Sequence, residues 1–134
     1  MTNQTIVNKF FDCYSKRDFE TIKQVIADDV VWYFLGQHKY AGIKRGLTEV
    51  INFFDTMGGV MSKSKPSVER LIVADKDHYL IECQHIKTNR ADNINIDHFV
   101  TVLWTIDNGK IVSGRHFFAD PQAVDYFFDA IPAD

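Results

Sequence analysis

The sequence predicts an α+β fold, with helices grouped toward the N-terminus and covering one face of an antiparallel sheet. Three observations carry that expectation. Apolar residues recur at helical spacing through the first half of the chain. After Pro66 the texture changes to β-branched and aromatic runs separated by turn residues, and a short, well-capped helix closes the sequence.

In the first segment Ile6, Val7, Phe10, Phe11 and Tyr14 form one stripe of a helix that faces a core. Asp18 stands where an N-cap belongs, and Phe19, Ile22, Val25 and Ile26 give a second, shorter stripe. The run Val30-Val31-Trp32-Tyr33-Phe34 is too short for a helix and too branched and aromatic to favour one, so it reads as a strand ending before Gly36. Leu47, Val50, Ile51, Phe54 and Met57 define a third helix, expected to stop at Gly58-Gly59. Residues 68–74, 79–86, 94–106 and 111–118 then read as four strands. Asp75-Lys76-Asp77 and Asp107-Asn108-Gly109 are hairpin turns. Asp120-Pro121 caps and opens a last helix carrying Val124, Phe127 and Phe128.

The 134 residues fit a single domain, 1–134, large enough to bury a core without staples. Eleven phenylalanines, five tyrosines and two tryptophans supply broad apolar faces that suit a pocket, a subunit interface or a plain aromatic core. The formal charge is −3 with no basic run, which argues against nucleic acid. No stretch has the character of a signal peptide or a membrane span, and Cys13 and Cys83 read as buried thiols, so the expectation is a cytoplasmic protein away from membranes.

Four stretches resemble the nuclear-transport-factor-two-like superfamily, in its SnoaL-like and ketosteroid-isomerase-like branches. They are FFDCYSKRDFETIKQVIADDV from Phe10, YAGIKRGLTEVINFF from Tyr40, the strand ending WTIDNGKI from Trp104, and its return RHFFAD from Arg115. The resemblance implies a cone-shaped antiparallel sheet wrapped by N-terminal helices, a cystatin-like roll, with a mainly apolar pocket on the concave face. It also implies a small-molecule ligand, no cofactor and a homodimer formed through the outer sheet face. It does not fix a reaction, because the superfamily holds isomerases, cyclases, dehydratases, epoxide hydrolases and non-catalytic modules.

Alignment on Asp18 puts Phe10 at the isomerase tyrosine position, and alignment on Asp28-Asp29 puts Phe34 at the base position. Neither ring can move a proton, so that machinery is not expected here. The third position falls at Thr101 or Val102, and Ile96-Asp97-His98-Phe99 resembles the isomerase segment but lies earlier. The branch using epoxide hydration has an acid after the arginine of the last strand. Here Arg115 is followed by His116.

Strand parity selects the remaining candidates. His98, Val100, Val102, Trp104 and Ile106 form the more apolar set and are expected to face inward, leaving Asp97 outside. His116 shares a face with Gly114 and Phe118 and is the first candidate for a catalytic acid or base, with His98 assisting. On the next strand Tyr79, Ile81, Cys83 and His85 outweigh Glu82 and Gln84 in apolarity, so His85 is expected inside as well. The expected ligand-binding set is Phe10, Tyr14, Trp32, Phe34, Phe54, His85, Trp104 and Phe118, with Tyr33 and Tyr40 near the mouth. The histidines show no metal-binding spacing, and no metal is expected. Two functional classes stay open: an acid/base enzyme of isomerase, cyclase or dehydratase type, and a non-catalytic ligand-binding or dimerisation module.

Overall fold

The first helix, α1 (Asn3–Ser15), starts where the Thr2 hydroxyl accepts the Thr5 N–H. It buries Ile6, Val7 and Phe10 of the stripe read from the sequence and Cys13 beside them, while Phe11 and Tyr14 are half-buried. The computed structural model describes residues 1–132. Asp18 caps α2 (Phe19–Ile22), which is a single turn. Val25 and Ile26 do not extend it. Both side chains are fully buried, but Ile26 already begins β1 (Ile26–Phe34), because extended backbone there pairs with the last strand. A short strand unforeseen in the sequence, β2 (Gly42–Arg45), follows and pairs antiparallel with β1.

The third helix, α3 (Leu47–Ser62), runs straight through Gly58-Gly59. Glycine weakens a helix by only about 1 kcal/mol, and the burial of Val50, Phe54, Met57 and Val60 along one face outweighs that. Four strands form the rest of the sheet: β3 (Ser67–Lys76), β4 (Tyr79–Lys87), β5 (Asp97–Asp107) and β6 (Lys110–Phe118). The strand expected from residue 94 begins three residues later, since Asp92 and Asn95 hold the preceding loop through hydrogen bonds to Arg90 and Thr88. The last helix, α4 (Pro121–Ala130), has Asp120 as its cap and Pro121 in its first turn.

The strand order is β2-β1-β6-β5-β4-β3, a single curved sheet. All neighbours are antiparallel except β1 and β6, a parallel pair that closes the N-terminal half onto the C-terminal half. Register shifts in β1, at Ile72/Ala74 and at Thr105/Ile106 add local bend to the ladders. Helices α1 and α3 lie against the concave side. Among the described residues, no helix is long and apolar enough to cross a membrane.

Burial along β5 alternates as parity predicts, with His98, Val100, Val102, Trp104 and Ile106 buried and Asp97 exposed. On β4 the prediction is inverted. Leu80, Glu82 and Gln84 are the buried residues, while Tyr79, Ile81, Cys83 and His85 lie on the convex face. Cys83 is therefore only half-buried, and Cys13 alone is a buried thiol. The convex face is itself apolar: Leu71, Phe99 and Phe117 are 67%, 51% and 50% exposed. An apolarity count between the two faces of β4 consequently points the wrong way.

Candidate functional site

The sheet's curl leaves a cavity of about 530 Å³ between its concave face and helices α1, α3 and α4. Phe10, Phe11 and Tyr14 come from α1, Phe53, Phe54 and Met57 from α3, and Phe127 and Phe128 from α4. The sheet supplies Trp32 and Phe34 from β1, Arg70 from β3, Gln84 and Ile86 from β4, His98, Val100 and Trp104 from β5, and His116 and Phe118 from β6. Of the twelve residues expected at the site from the sequence, nine line this one cavity, and His85, Tyr33 and Tyr40 do not.

The aromatic wall is a connected cluster. Phe10 stacks on Trp32 at 5.6 Å and meets Trp104 edge-on at 5.1 Å, and Trp32 meets Phe54 edge-on at 4.9 Å. Gly114 makes room for it, since a side chain there would begin 2.6 Å from the Trp32 ring. Much of the aromatic content is thus core packing, with one surface left facing open space.

His116 sits in that wall, 5.3 Å from the Phe34 ring and 5.7 Å from Trp32. Burial pushes its imidazole down to about 4, against a smaller opposing pull from the Tyr33 backbone, so the ring is neutral at physiological pH. His98, one strand over, is also lowered by burial. Asp97 opposes that shift and His85 adds to it. The two imidazoles do not touch. Each stacks on Phe118, His98 at 6.2 Å and His116 at 6.1 Å, so they sit at separate points of the cavity. Burial holds the Tyr14 phenol up at about 12, Arg17 opposing weakly, which leaves it a neutral hydroxyl.

His85 requires a correction. It lies on the convex face, where Nε2 is 2.5 Å from Asp97 Oδ1 and the ring stacks on Phe99 at 4.4 Å. It is separated from His116 by the thickness of the sheet, so the three strand histidines do not converge on a metal. Among the described residues, no group of three His, Cys, Asp or Glu is placed to hold one. Tyr33 also faces outward, under the Arg115 guanidinium at 3.8 Å. Tyr40 packs on Phe128 at 5.8 Å, behind the cavity wall rather than in it.

Parity reasoning missed the polar end of the cavity. Glu82 is completely buried. Its Oε1 accepts the Trp104 indole N–H at 2.8 Å and the Gln84 amide at 3.1 Å, and its Oε2 accepts Arg70 Nε at 2.7 Å. Arg70 in turn lies 3.9 Å over the Phe11 ring and donates from Nη1 to Asn8 at 3.2 Å. Hairpin register offered a signal for this, because Arg70 pairs with Gln84 and Ile72 with Glu82 across the turn after Asp75.

Of four buried side-chain polar atoms without a hydrogen-bond partner among the described residues, three belong to cavity-lining residues: Arg70 Nη2, His98 Nδ1 and His116 Nδ1. Buried polar groups are ordinarily satisfied, and here three exceptions gather at one cavity.

Comparison with known proteins agrees with this architecture. The family model for the SnoaL-like domain matches residues 7–114. An uncharacterized protein of Mycobacterium tuberculosis is 24% identical over 123 residues, spanning 92% of this chain and 93% of the relative. Bal32a, from a soil-derived mobile gene cassette, superposes with a TM-score of 0.82 at 21% identity, covering 94% of this chain and 95% of its own. An NTF2-like protein of Burkholderia xenovorans gives 0.80 at 19% identity, covering 96% and 98%. TerC, co-crystallised with polyporic acid, gives 0.76 at 16% identity over the same shares. On the strength of the matched family model the chain belongs to the SnoaL-like domain family, and these neighbours share its fold.

Proposed function

We propose that the protein encloses a flat, largely apolar small molecule on the concave face of its sheet, with His116 as the wall group that meets the ligand's polar atom. One observation carries this reading. An aromatic-lined cavity of ligand size contains three of the four unpartnered buried side-chain atoms among the described residues. The fold's use by TerC with polyporic acid supports it. Phe10, Trp32, Phe34, Phe54, Trp104 and Phe118 give stacking surface, while Tyr14 and His98 offer further polar contacts.

His116 is suited to accept a hydrogen bond or a proton, because it is neutral and its Nδ1 is unoccupied. That favours, as a second reading, proton abstraction in an isomerase-, cyclase- or dehydratase-type reaction. A base with a value of about 4 is weak at neutral pH, so ligand binding is the primary reading. Titration with 2-naphthol, a flat hydroxyl donor, tests both. Binding is expected to shift the His116 ring resonances, and His116→Ala to weaken affinity by about 3–10-fold with the amide spectrum otherwise retained. Unchanged affinity in that variant would remove His116 from the site.

We also infer a homodimer through the convex face, where Leu71, Phe99 and Phe117 are exposed on three strands of the sheet. Sedimentation should give a dimer that Phe117→Lys dissociates; a wild-type monomer at high concentration would rule it out.

A further inference from the structure

We propose that Arg70 forms a donor subsite in the cavity that selects an uncharged oxygen acceptor, such as the carbonyl of a flat aromatic ketone, over a carboxylate. The inference rests on the reading of the cavity as a ligand site and adds the chemical class of the ligand's polar end.

Among the three unpartnered atoms, Arg70 Nη2 alone belongs to a group that can only donate. A histidine nitrogen can change tautomer to suit its surroundings, whereas a guanidinium cannot. Its position is already fixed by the salt bridge from Nε to Glu82 Oε2 at 2.7 Å, by Nη1 on Asn8 at 3.2 Å and by the Phe11 ring beneath it. Little ordering is left to be lost when an acceptor arrives.

Charge decides which acceptor. Among the described residues the charged ones that line the cavity are Arg70 and Asp12, and Glu82 lies directly behind Arg70 with its side chain fully inaccessible to solvent. Asp12 is exposed and paired with Lys16 at 3.2 Å, so the buried charge balance at this end is one cation, Arg70, against one carboxylate, Glu82. An isolated arginine in a pocket is an anion site, but this one is already neutralised by its buried partner. A ligand carboxylate would lose its water and find no net positive charge in exchange. A carbonyl oxygen loses far less hydration and gains the free N–H. A hydrocarbon of the same shape leaves that N–H unsatisfied.

Three probes on one skeleton separate these possibilities: 2-acetylnaphthalene, 2-ethylnaphthalene and 2-naphthoate, titrated into isotope-labelled protein while the Arg70 Nε–H and Trp104 Nε1–H signals are followed. In the wild type the ketone should bind at least tenfold more tightly than the carboxylate. In Arg70→Met/Glu82→Gln, which removes both charges together, ketone affinity should fall about 3–10-fold while that of the ethyl compound stays within about twofold. In Glu82→Gln alone the arginine loses its counter-charge, and 2-naphthoate should gain about tenfold. Equal losses for ketone and hydrocarbon, or wild-type binding of the carboxylate as tight as the ketone, would overturn the proposal and leave the pocket reading standing. Failure of all three probes to bind would overturn the pocket reading and this inference with it. If neither variant folds, the wild-type comparison still decides.

Discussion

Replacement of Glu82 by alanine is expected to destabilise the protein by about 3–5 kcal/mol, a large share of a typical domain's total stability. The carboxylate holds three donors at once: the Trp104 indole, the Gln84 amide and the Arg70 guanidinium. Removal of one member of a buried ion pair leaves the other charge without compensation. It also strands the indole N–H of a residue that is only 1% exposed. The damage should spread to ligand binding, since Trp104 and Arg70 both line the cavity. Urea unfolding followed by tryptophan fluorescence measures the effect. The paired change Arg70→Met/Glu82→Gln should recover part of the loss, because no lone charge remains. A Glu82→Ala protein within about 1 kcal/mol of wild type would mean that the network is not a structural unit.

Phe10→Ala is expected to cost about 3–5 kcal/mol, for a different reason. Phe10 is 2% exposed and its ring contacts those of Phe11, Tyr14, Trp32, Phe54 and Trp104 within 5.8 Å. It joins α1 to α3, β1 and β5. Truncation removes the buried ring, and the void merges with the existing cavity rather than collapsing. A ligand that fills the enlarged space should restore part of the stability, which a thermal melt with and without 2-ethylnaphthalene would register. A loss below about 1 kcal/mol would show that α1 docks without this ring.

Both predictions concern residues that the sequence revealed unevenly. Phe10 was legible because helical spacing places it on the same stripe as Ile6, Val7 and Tyr14. The β5 face was legible because its alternation is unbroken from His98 to Ile106. Glu82 was not, because its partners Arg70 and Trp104 are 12 and 22 residues away and a period-two pattern carries no record of them. The apolar convex face made the error worse, giving β4 two greasy sides and turning His85 inward on paper. The strand β2 was missed since four residues that open on one glycine and precede another, two of them basic, resemble a loop until β1 is beside them. Its burial alternates between partial and exposed, as an edge strand's does.

Placement of the candidate residues has chemical consequences as well. His116 and His98 share a cavity but meet only through Phe118, so a mechanism that passes a proton between them has no path through their rings. Each imidazole is neutral by desolvation, and the polar end built by Arg70 and Glu82 carries its own counter-charge. The site as a whole is therefore suited to uncharged ligands.

Titration of the His116 ring by NMR tests directly whether it lies in a dry wall that a ligand can reach. The midpoint is expected at about 4 in the free protein, lowered by burial, and lower still with 2-naphthol bound as remaining water is displaced. Because that value lies below the roughly 6.5 of an unfolded chain, His116 contributes stability that is complete above about pH 6.5 and is lost as pH falls toward 4. A midpoint near 6.5 that no cavity-filling compound moves would place the imidazole in water and contradict the site.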